Sequence, residues 1–235
     1  MRTVAVVQAR QGSSRLPGKS VMPISGRPML AHVIERAGRV RTISEVVVVT
    51  SVNERDAPIA TLAEQMGCLV VRGDERDVLS RFASAIDLLG LTAWDRVMRV
   101  TGDCPLLCTD VCERVLTEAG VTDWFDFWTA DTTCSGYPDG TDCELMTVRA
   151  LRSAHSDATL MSDREHVTPW IRRNLRERLV LCPTRDPGYA AAKWSVDVAE
   201  DLTRVRAIYG EMVGGGAYTL PDVTAAWRRA EQRGR

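Results

Sequence analysis

Two sets of residues in this chain have the types and spacing to do chemistry. The first is the run Gln8-Ala9-Arg10-Gln11-Gly12-Ser13-Ser14-Arg15-Leu16-Pro17-Gly18-Lys19. Its two glycines let backbone amides approach an anion, Ser13 and Ser14 add hydroxyls, and Arg10, Arg15 and Lys19 add full positive charges. That is the make-up of a polyphosphate cradle. The second is a pair of aspartates. Asp103 follows an apolar run in Val100-Thr101-Gly102-Asp103-Cys104-Pro105, and Asp197 closes Trp194-Ser195-Val196-Asp197. Carboxylates at strand ends can converge on one Mg²⁺, a hard ion that takes oxygen ligands together with substrate phosphates. Each also has a plainer reading: Asp103 as a turn residue before Cys104-Pro105, and Asp197 with Glu200 as a capping box.

The cradle is not a Walker A loop. That motif has four residues between its glycine and Gly-Lys-Ser/Thr, whereas five separate Gly12 from Gly18, and Pro23, Gly26 and Pro28 interrupt the chain before a helix can start. Of the 30 basic residues only two, Lys19 and Lys193, are lysine. A chain so biased to arginine keeps lysine where a compact ammonium serves better than a planar fork. Cys104, Cys108 and Cys112 recur every fourth residue, the spacing of a helix face and not of a zinc C-x₂-C. His32 is expected to pack within an amphipathic helix or lie on its surface, and His155 to be exposed. His166, beside Arg164 and Glu165, can orient an acidic substrate or simply neighbour a capping box. The six tryptophans are scattered and make no stacking platform for single strands.

The elements that must position these residues read as α/β. Apolar β-branched runs at Thr3 to Val7, Glu45 to Thr50, Cys68 to Val71 and Arg96 to Val100 alternate with helical patterns at Pro28 to Val40, Glu54 to Met66 and Asp77 to Leu89. That alternation predicts a mainly parallel central sheet flanked by helices, with the basic run at the carboxyl end of the first strand, where ligands dock in such sheets. Beyond about residue 120 the pattern loosens. Strands are expected at Trp124 to Ala130, Thr141 to Thr147, Leu179 to Cys182 and Lys193 to Val196. Helices are expected at 148–156, 163–174 with a Ser162-x-x-Glu165 capping box, Val198 to Met212 and Asp222 to Gln232. Gly214-Gly215-Gly216 reads as a flexible link.

Composition fits one domain of 235 residues, read as a nucleotide-binding half over 1–120 and an acceptor-binding and dimerising half over 121–235. The net charge of −1 hides an asymmetry: residues 1–41 hold eight basic side chains against Glu35 alone, and residues 101–144 hold ten acids against Arg114 alone. This suits an anionic ligand with a divalent cation and does not suit duplex nucleic acid. No stretch is long and apolar enough for a membrane span, and Arg10 follows Val4 to Val7 too soon for a secretory signal. Seven cysteines without framework spacing then read as reduced thiols in a cytoplasmic chain.

Taken together, the motifs resemble the cytidylyltransferases that activate sugar acids, within the nucleotide-diphospho-sugar transferase (GT-A-like, Rossmann-like) superfamily. The likeness is greatest to the spore-coat polysaccharide synthesis (SpsF) type, related to the acylneuraminate and 3-deoxy-manno-octulosonate cytidylyltransferases. The matching segments are Val7 to Lys19, Arg72-Gly73-Asp74-Glu75 with Asp77 to Arg81, Arg99 to Leu106, Tyr137-Pro138-Asp139-Gly140 with Asp142 and Glu144, Ser162 to Pro169, and Ser195 to Leu202. The first motif reads Gln8-Ala9-Arg10 here, where the sialate and octulosonate enzymes have Pro-Ala-Arg, and the segments that read the acceptor in the octulosonate enzymes are not recognisable. The resemblance implies that Arg10, Ser14, Arg15 and Lys19 bind the triphosphate, with Gly12, Ser13, Thr101 and Gly102 lining the same site. It implies Mg²⁺ on Asp103 and Asp197, with Arg10, Arg15, Lys19 and Asp103 as the catalytic set. Gln8, Ala9, Arg72 and the Asp77 to Arg81 segment would surround the pyrimidine and ribose. Tyr137, Asp139, Asp142, Glu144, Arg164, His166 and Lys193 would face the acceptor, in a homodimer.

The expected reaction is transfer of CMP from CTP to a small oxygen acceptor, a sugar acid or related compound, with release of pyrophosphate. UTP, GTP or dTTP as donor, a sugar phosphate or phosphonate as acceptor, and a catalytically silent nucleotide-binding subunit are the alternatives. The paired aspartates weigh against the last, since a binding module needs no metal-ligand pair.

Overall fold

The strand Thr3–Gln8 (β1) is apolar on both of its faces, and this places it at the centre of the sheet. Ala5 and Val7 enter one apolar cluster and Val4 and Val6 the other, the period of two that a doubly covered strand requires. The computed structural model describes residues 1–184, 186–212 and 218–234. Its folded surface of 10707 Å² agrees with the area expected for a compact chain of this mass, ~10,500 Å².

After β1 the chain forms a short hairpin, β2 (Pro23–Ile24) and β3 (Arg27–Pro28), and then helix α1 (Met29–Gly38). Strand β4 (Glu45–Ser51) lies parallel to β1, followed by α2 (Ala57–Gln65), β5 (Leu69–Gly73) and α3 (Val78–Leu88). Strand β6 (Arg96–Thr101) then returns to the other side of β1, also parallel. Helix α4 (Thr109–Val121) leads to β7 (Phe127–Thr129) and β8 (Glu144–Thr147); β8 runs antiparallel to both β6 and β7. Helices α5 (Val148–Asp157), α6 (Met161–His166) and α7 (Pro169–Asn174) precede β9 (Glu177–Leu179), which pairs parallel with β7. Helices α8 (Ala199–Gly210) and α9 (Leu220–Arg233) follow. The seven-stranded order is β5-β4-β1-β6-β8-β7-β9, so strands from both halves of the chain share one sheet. Helices α1, α2, α4, α8 and α9 bury apolar residues on one face, and α3, α5 and α7 on the other. This is the expected α/β architecture. Among the described residues no helix is long and apolar enough to cross a membrane.

The later elements depart from expectation for local reasons. The single helix over 163–174 is two, because Val167 takes φ 70° and Pro169 cannot continue an α-helix through its missing N–H. Leu160 precedes the first of them, so Ser162 lies within its first turn and forms no capping box. At α8 the side chain that accepts from the Asp197 and Val198 amides, at 3.0 and 3.1 Å, belongs to Asp201 and not to Glu200. Strand β9 stops at Leu179; the Cys182 amide bonds instead to Ser135 O, which draws the chain off the sheet. Strand β7 keeps only Phe127–Thr129 of the longer run, and β8 starts at Glu144 because Thr141 is held in the Pro138 turn. Lys193 to Val196 forms a single bridge to Asp139 and no strand. Cys104, Cys108 and Cys112 do not share a helix face: Cys104 is in a turn and Cys108 precedes α4, although all are buried. The expected link at Gly214 to Gly216 lies outside the described residues.

Candidate active site

β1 ends between β4 and β6, at the point where the connections change sides, and such a switch opens a crevice beyond the strand ends. The ends of β1 and β6 touch closely. A Cβ on Gly102 would lie 2.9 Å from the Gln8 carbonyl oxygen, which accepts the Gly102 amide at 2.8 Å. Only glycine fits there. The basic loop is anchored to this floor by Ala9 N donating to Val49 O (3.1 Å) and Gln11 N to Asp56 Oδ1 (2.7 Å). It ends in a 3₁₀ turn, Lys19–Val21, that buries the Lys19 stem.

Lys19 Nζ is the meeting point. It donates to Asp103 Oδ2 at 2.9 Å and Val196 O at 2.6 Å, and reaches Asp197 Oδ1 at 3.4 Å. Arg15 Nη2 lies 2.8 Å from the same Asp197 oxygen. Two aspartates distant in sequence therefore face one cation position. Burial pushes the Asp103 carboxyl up, but the Lys19 charge and hydrogen bond outweigh it and hold it below the usual carboxylate range. The donor set is of hard oxygens and suits a divalent ion. Among the described residues no three His, Cys, Asp or Glu side chains converge to hold a metal, so phosphate and water would have to complete the shell, as Mg²⁺ prefers.

Two cavities open on either side of this pair. The first, of about 260 Å³, is lined by Gln8, Ala9, Arg10, Gly12, Ser13 and Ser14, and by Arg15, Lys19, Gly102 and His166. The second, of about 350 Å³, is lined by Asp139, Asp142 and Glu144. Thr101, Asp103 and Asp197 line both and form the shared wall. Burial pushes the Asp139 and Asp142 carboxyls up, with hydrogen bonds from Ser195 and from the Gly140 amide respectively pulling them back in part. Glu144 pairs with Arg99 and accepts from Thr168 Oγ1 at 3.1 Å.

Five expected residues line neither cavity. The Arg72 guanidinium is bound to Ser51 O and Asn53 O, both at 2.9 Å. Asp77 caps α3 through the Ser80 amide and pairs with Arg164 Nε at 2.7 Å, which commits both side chains to joining α3 and α6. Tyr137 is buried in the core with its hydroxyl toward Leu181 O. Lys193 pairs with Asp201 at 3.0 Å and approaches Asp197 at 3.5 Å, behind the shared wall. The reverse also occurs. Arg81 lines the first cavity, almost wholly buried, with Nε and Nη1 lacking partners among the described residues. Sequence reasoning placed it only within a segment; its signal was the helical offset from Val78, three residues back on the buried side. Glu165, which pairs with Arg10 at 3.2 Å, lies within the Ser162 to Pro169 match but reads there only as a capping residue, and Asp131 and Thr129 of the second cavity give no signal.

A cationic loop at a parallel-sheet switch point, facing paired carboxylates, is the arrangement of an α/β nucleotidyltransferase, and the comparisons agree. The family model described as Cytidylyltransferase matches residues 4–203, and the chain belongs to that family of enzymes. It is 31% identical over 174 residues to an uncharacterized protein of Methanocaldococcus jannaschii, covering 74% of this chain and 68% of that one. It is 37% identical over 118 residues to an 8-amino-3,8-dideoxy-manno-octulosonate cytidylyltransferase of a Shewanella species, covering 49% of this chain and 46% of that one. The chain thus spans about half the length of that curated relative. The fold is similar to that of a cytidylyltransferase from Leptospira borgpetersenii, with a TM-score of 0.88 at 24% identity over 99% of this chain and 96% of that one.

Proposed function

We propose that this chain transfers CMP from CTP to an oxygen of a small acceptor, releasing pyrophosphate, with Mg²⁺ as its metal ion. The single observation that carries the reading is the convergence of Lys19, Arg15, Asp103 and Asp197 on the wall between a basic and an acidic cavity. A triphosphate in the basic cavity would present its α-phosphorus at that wall, and an acceptor in the acidic cavity would approach from the other side. The acceptor oxygen bonds to phosphorus as the bond to the pyrophosphate oxygen breaks, and the acceptor proton is lost to solvent. Arg10, Arg15 and Lys19 hold the departing charge. Positioning and electrostatics of this kind carry such transfers with little covalent participation by protein. Asp103 and Asp197 would hold Mg²⁺, which supplies charge neutralisation at the reacting phosphate when bound. The same reading includes a homodimer, checked by sedimentation, and a cytoplasmic location, checked by fractionation of cells that express the chain.

The test is pyrophosphate release screened over four NTPs and a panel of acceptors, with sugar acids as its starting members because a relative is named for one. Turnover with CTP and Mg²⁺ supports the proposal. Preference for UTP, GTP or dTTP replaces the donor. Nucleotide binding without turnover on any acceptor leaves a silent nucleotide-binding subunit.

A further inference from the structure

The cations of the basic cavity do not all come from one place. Arg10, Arg15 and Lys19 belong to the loop that leads toward α1, whereas Arg81 belongs to α3, and these two helices pack on opposite faces of the sheet. The Arg81 stem rests at the end of β5, where a Cβ on Gly73 would lie 2.8 Å from Arg81 Cγ. β4 and β1 separate β5 from β6, a gap of three strand spacings or about 14 Å. Arg81 therefore enters the cavity from the side away from Asp103, which follows β6 and with Asp197 would hold the divalent ion.

Two observations say what kind of group Arg81 is placed to meet. Its side chain is buried, with the residue 3% exposed, and Nε and Nη1 have no hydrogen-bond partner among the described residues, while Nη2 donates to Glu75 O at 3.4 Å. Buried donors without acceptors are costly. Counter-charge is not what is missing: the carboxylates of Asp56, Asp74 and Asp77 offset the guanidinium, with Arg10 opposing them. The N–H groups lack acceptors, and neutral acceptors can supply them. The second observation is apolar surface in the same cavity, from the buried Val78, three residues back on α3, and from Ala9. A flat ring with acceptors on its edge uses both the donors and the apolar contact. A phosphate group uses only the donors.

We propose that Arg81 is a specificity-determining residue that selects cytosine, its N–H groups donating to O2 and N3 of the pyrimidine. This rests on the nucleotidyl-transfer reading and names how the donor base is chosen. Cytosine carries acceptors at both O2 and N3, whereas uracil carries an N3–H donor. A guanidinium can only donate, so with uracil a donor faces a donor and both are left buried without a partner. The triphosphate stays with the basic loop and the metal ion with the wall.

The test is calorimetric titration of CTP, UTP and inorganic triphosphate, each with Mg²⁺, into the full chain and into Arg81→Met and Arg81→Gln. The wild type is expected to bind CTP at least about tenfold more tightly than UTP. Arg81→Met should weaken CTP about tenfold, bring the two nucleotides within about twofold of each other and leave inorganic triphosphate unchanged. Arg81→Gln carries a donor and an acceptor on an amide that can turn over, and should bind UTP more tightly than the wild type does. A merely structural role would weaken all three ligands alike. Equal affinity for CTP and UTP in the wild type, a preference for CTP that survives in both variants, or an Arg81→Met that weakens inorganic triphosphate as much as CTP overturns the inference. Failure of the nucleotide reading looks different. A wild-type chain that binds neither nucleotide nor inorganic triphosphate sinks that reading, whereas one that binds CTP and UTP equally sinks only the selection by Arg81.

Discussion

The two cavities share Thr101, Asp103 and Asp197, yet they are electrostatic opposites. On one side Arg10, Arg15, Lys19 and Arg81 face Glu165 and the shared aspartates. On the other, carboxylates outnumber the single Arg99. The contrast follows from the sequence order of charge, since the basic side is supplied mainly by the loop after β1 and the acidic side by the stretch between β6 and β8. The sheet brings the two together because β1 and β6 are neighbours. Lys19 is the stitch: a single ammonium that pairs with both carboxylates of the wall, while Arg15 adds a second positive charge at Asp197. A reaction between an anion and an acceptor needs this division, because the donor requires positive charge and the acceptor's reacting hydroxyl does not.

The sharpest way to break the contrast is at the wall itself. Asp103→Asn should lower pyrophosphate release about 10²–10³-fold while the chain still folds, measured by turnover beside a thermal melt. Lys19→Met leaves two carboxylates facing one another. It should cost up to about 3 kcal/mol of stability, less than for a fully enclosed pair because Asp103 and Asp197 remain partly exposed. Added Mg²⁺ should recover part of that loss in the variant and have a smaller effect on the wild type.

Arg81 tests the basic side alone. Its guanidinium is buried, and desolvation pulls its proton affinity down, with two nitrogens unpartnered among the described residues. Such a group is held at a cost that an anionic or carbonyl-bearing ligand relieves. Arg81→Met should therefore raise stability by about 1 kcal/mol and weaken CTP about tenfold, opposite signs read by a melt and a titration.

The smallest effect concerns the support behind the wall. Burial pushes the Asp201 carboxyl up, but Lys193, Arg204 and the Asp197 and Val198 amides outweigh it and hold it at about 2. A depressed carboxyl stabilises the folded chain fully above the ordinary value near ~4 and ceases to do so as pH falls toward about 2. Thermal melts across that window should show a loss that Asp201→Asn flattens.

How much of this was legible beforehand depended on whether local chemistry or packing decides a residue's place. The basic run and Asp103 could be read because each follows an apolar strand, and a parallel sheet gathers strand ends on one edge. Asp197 reads on the same ground, but what brings it there is a single bridge from Lys193 to Asp139 and the Val196 amide donating to Asp103 O at 2.9 Å. The α/β alternation was clear through β6 for the same reason. Tyr137, Asp77, Arg164 and Arg72 could not be sorted, because the partners that withdraw them, Leu181 for Tyr137, Asp77 and Arg164 for each other, and Ser51 for Arg72, are set by tertiary contacts. The break at Val167 was hidden as well: a Ser-x-x-Glu pattern looks like a cap whether or not the chain turns there. Arg81 sat in plain view on a helical apolar offset, within a segment expected beside the pyrimidine and ribose, but nothing in the sequence singled it out from its neighbours or showed its burial.

The central claim is that a magnesium-bound nucleotide sits against the wall that Lys19 spans. Calorimetric titration of CTP with Mg²⁺ into the wild-type chain and Lys19→Met tests it most directly. The account predicts one saturable site per chain in the wild type, dependent on the metal, and at least about tenfold weaker in the variant. Equal affinity in the two proteins, or no binding to either, would contradict it.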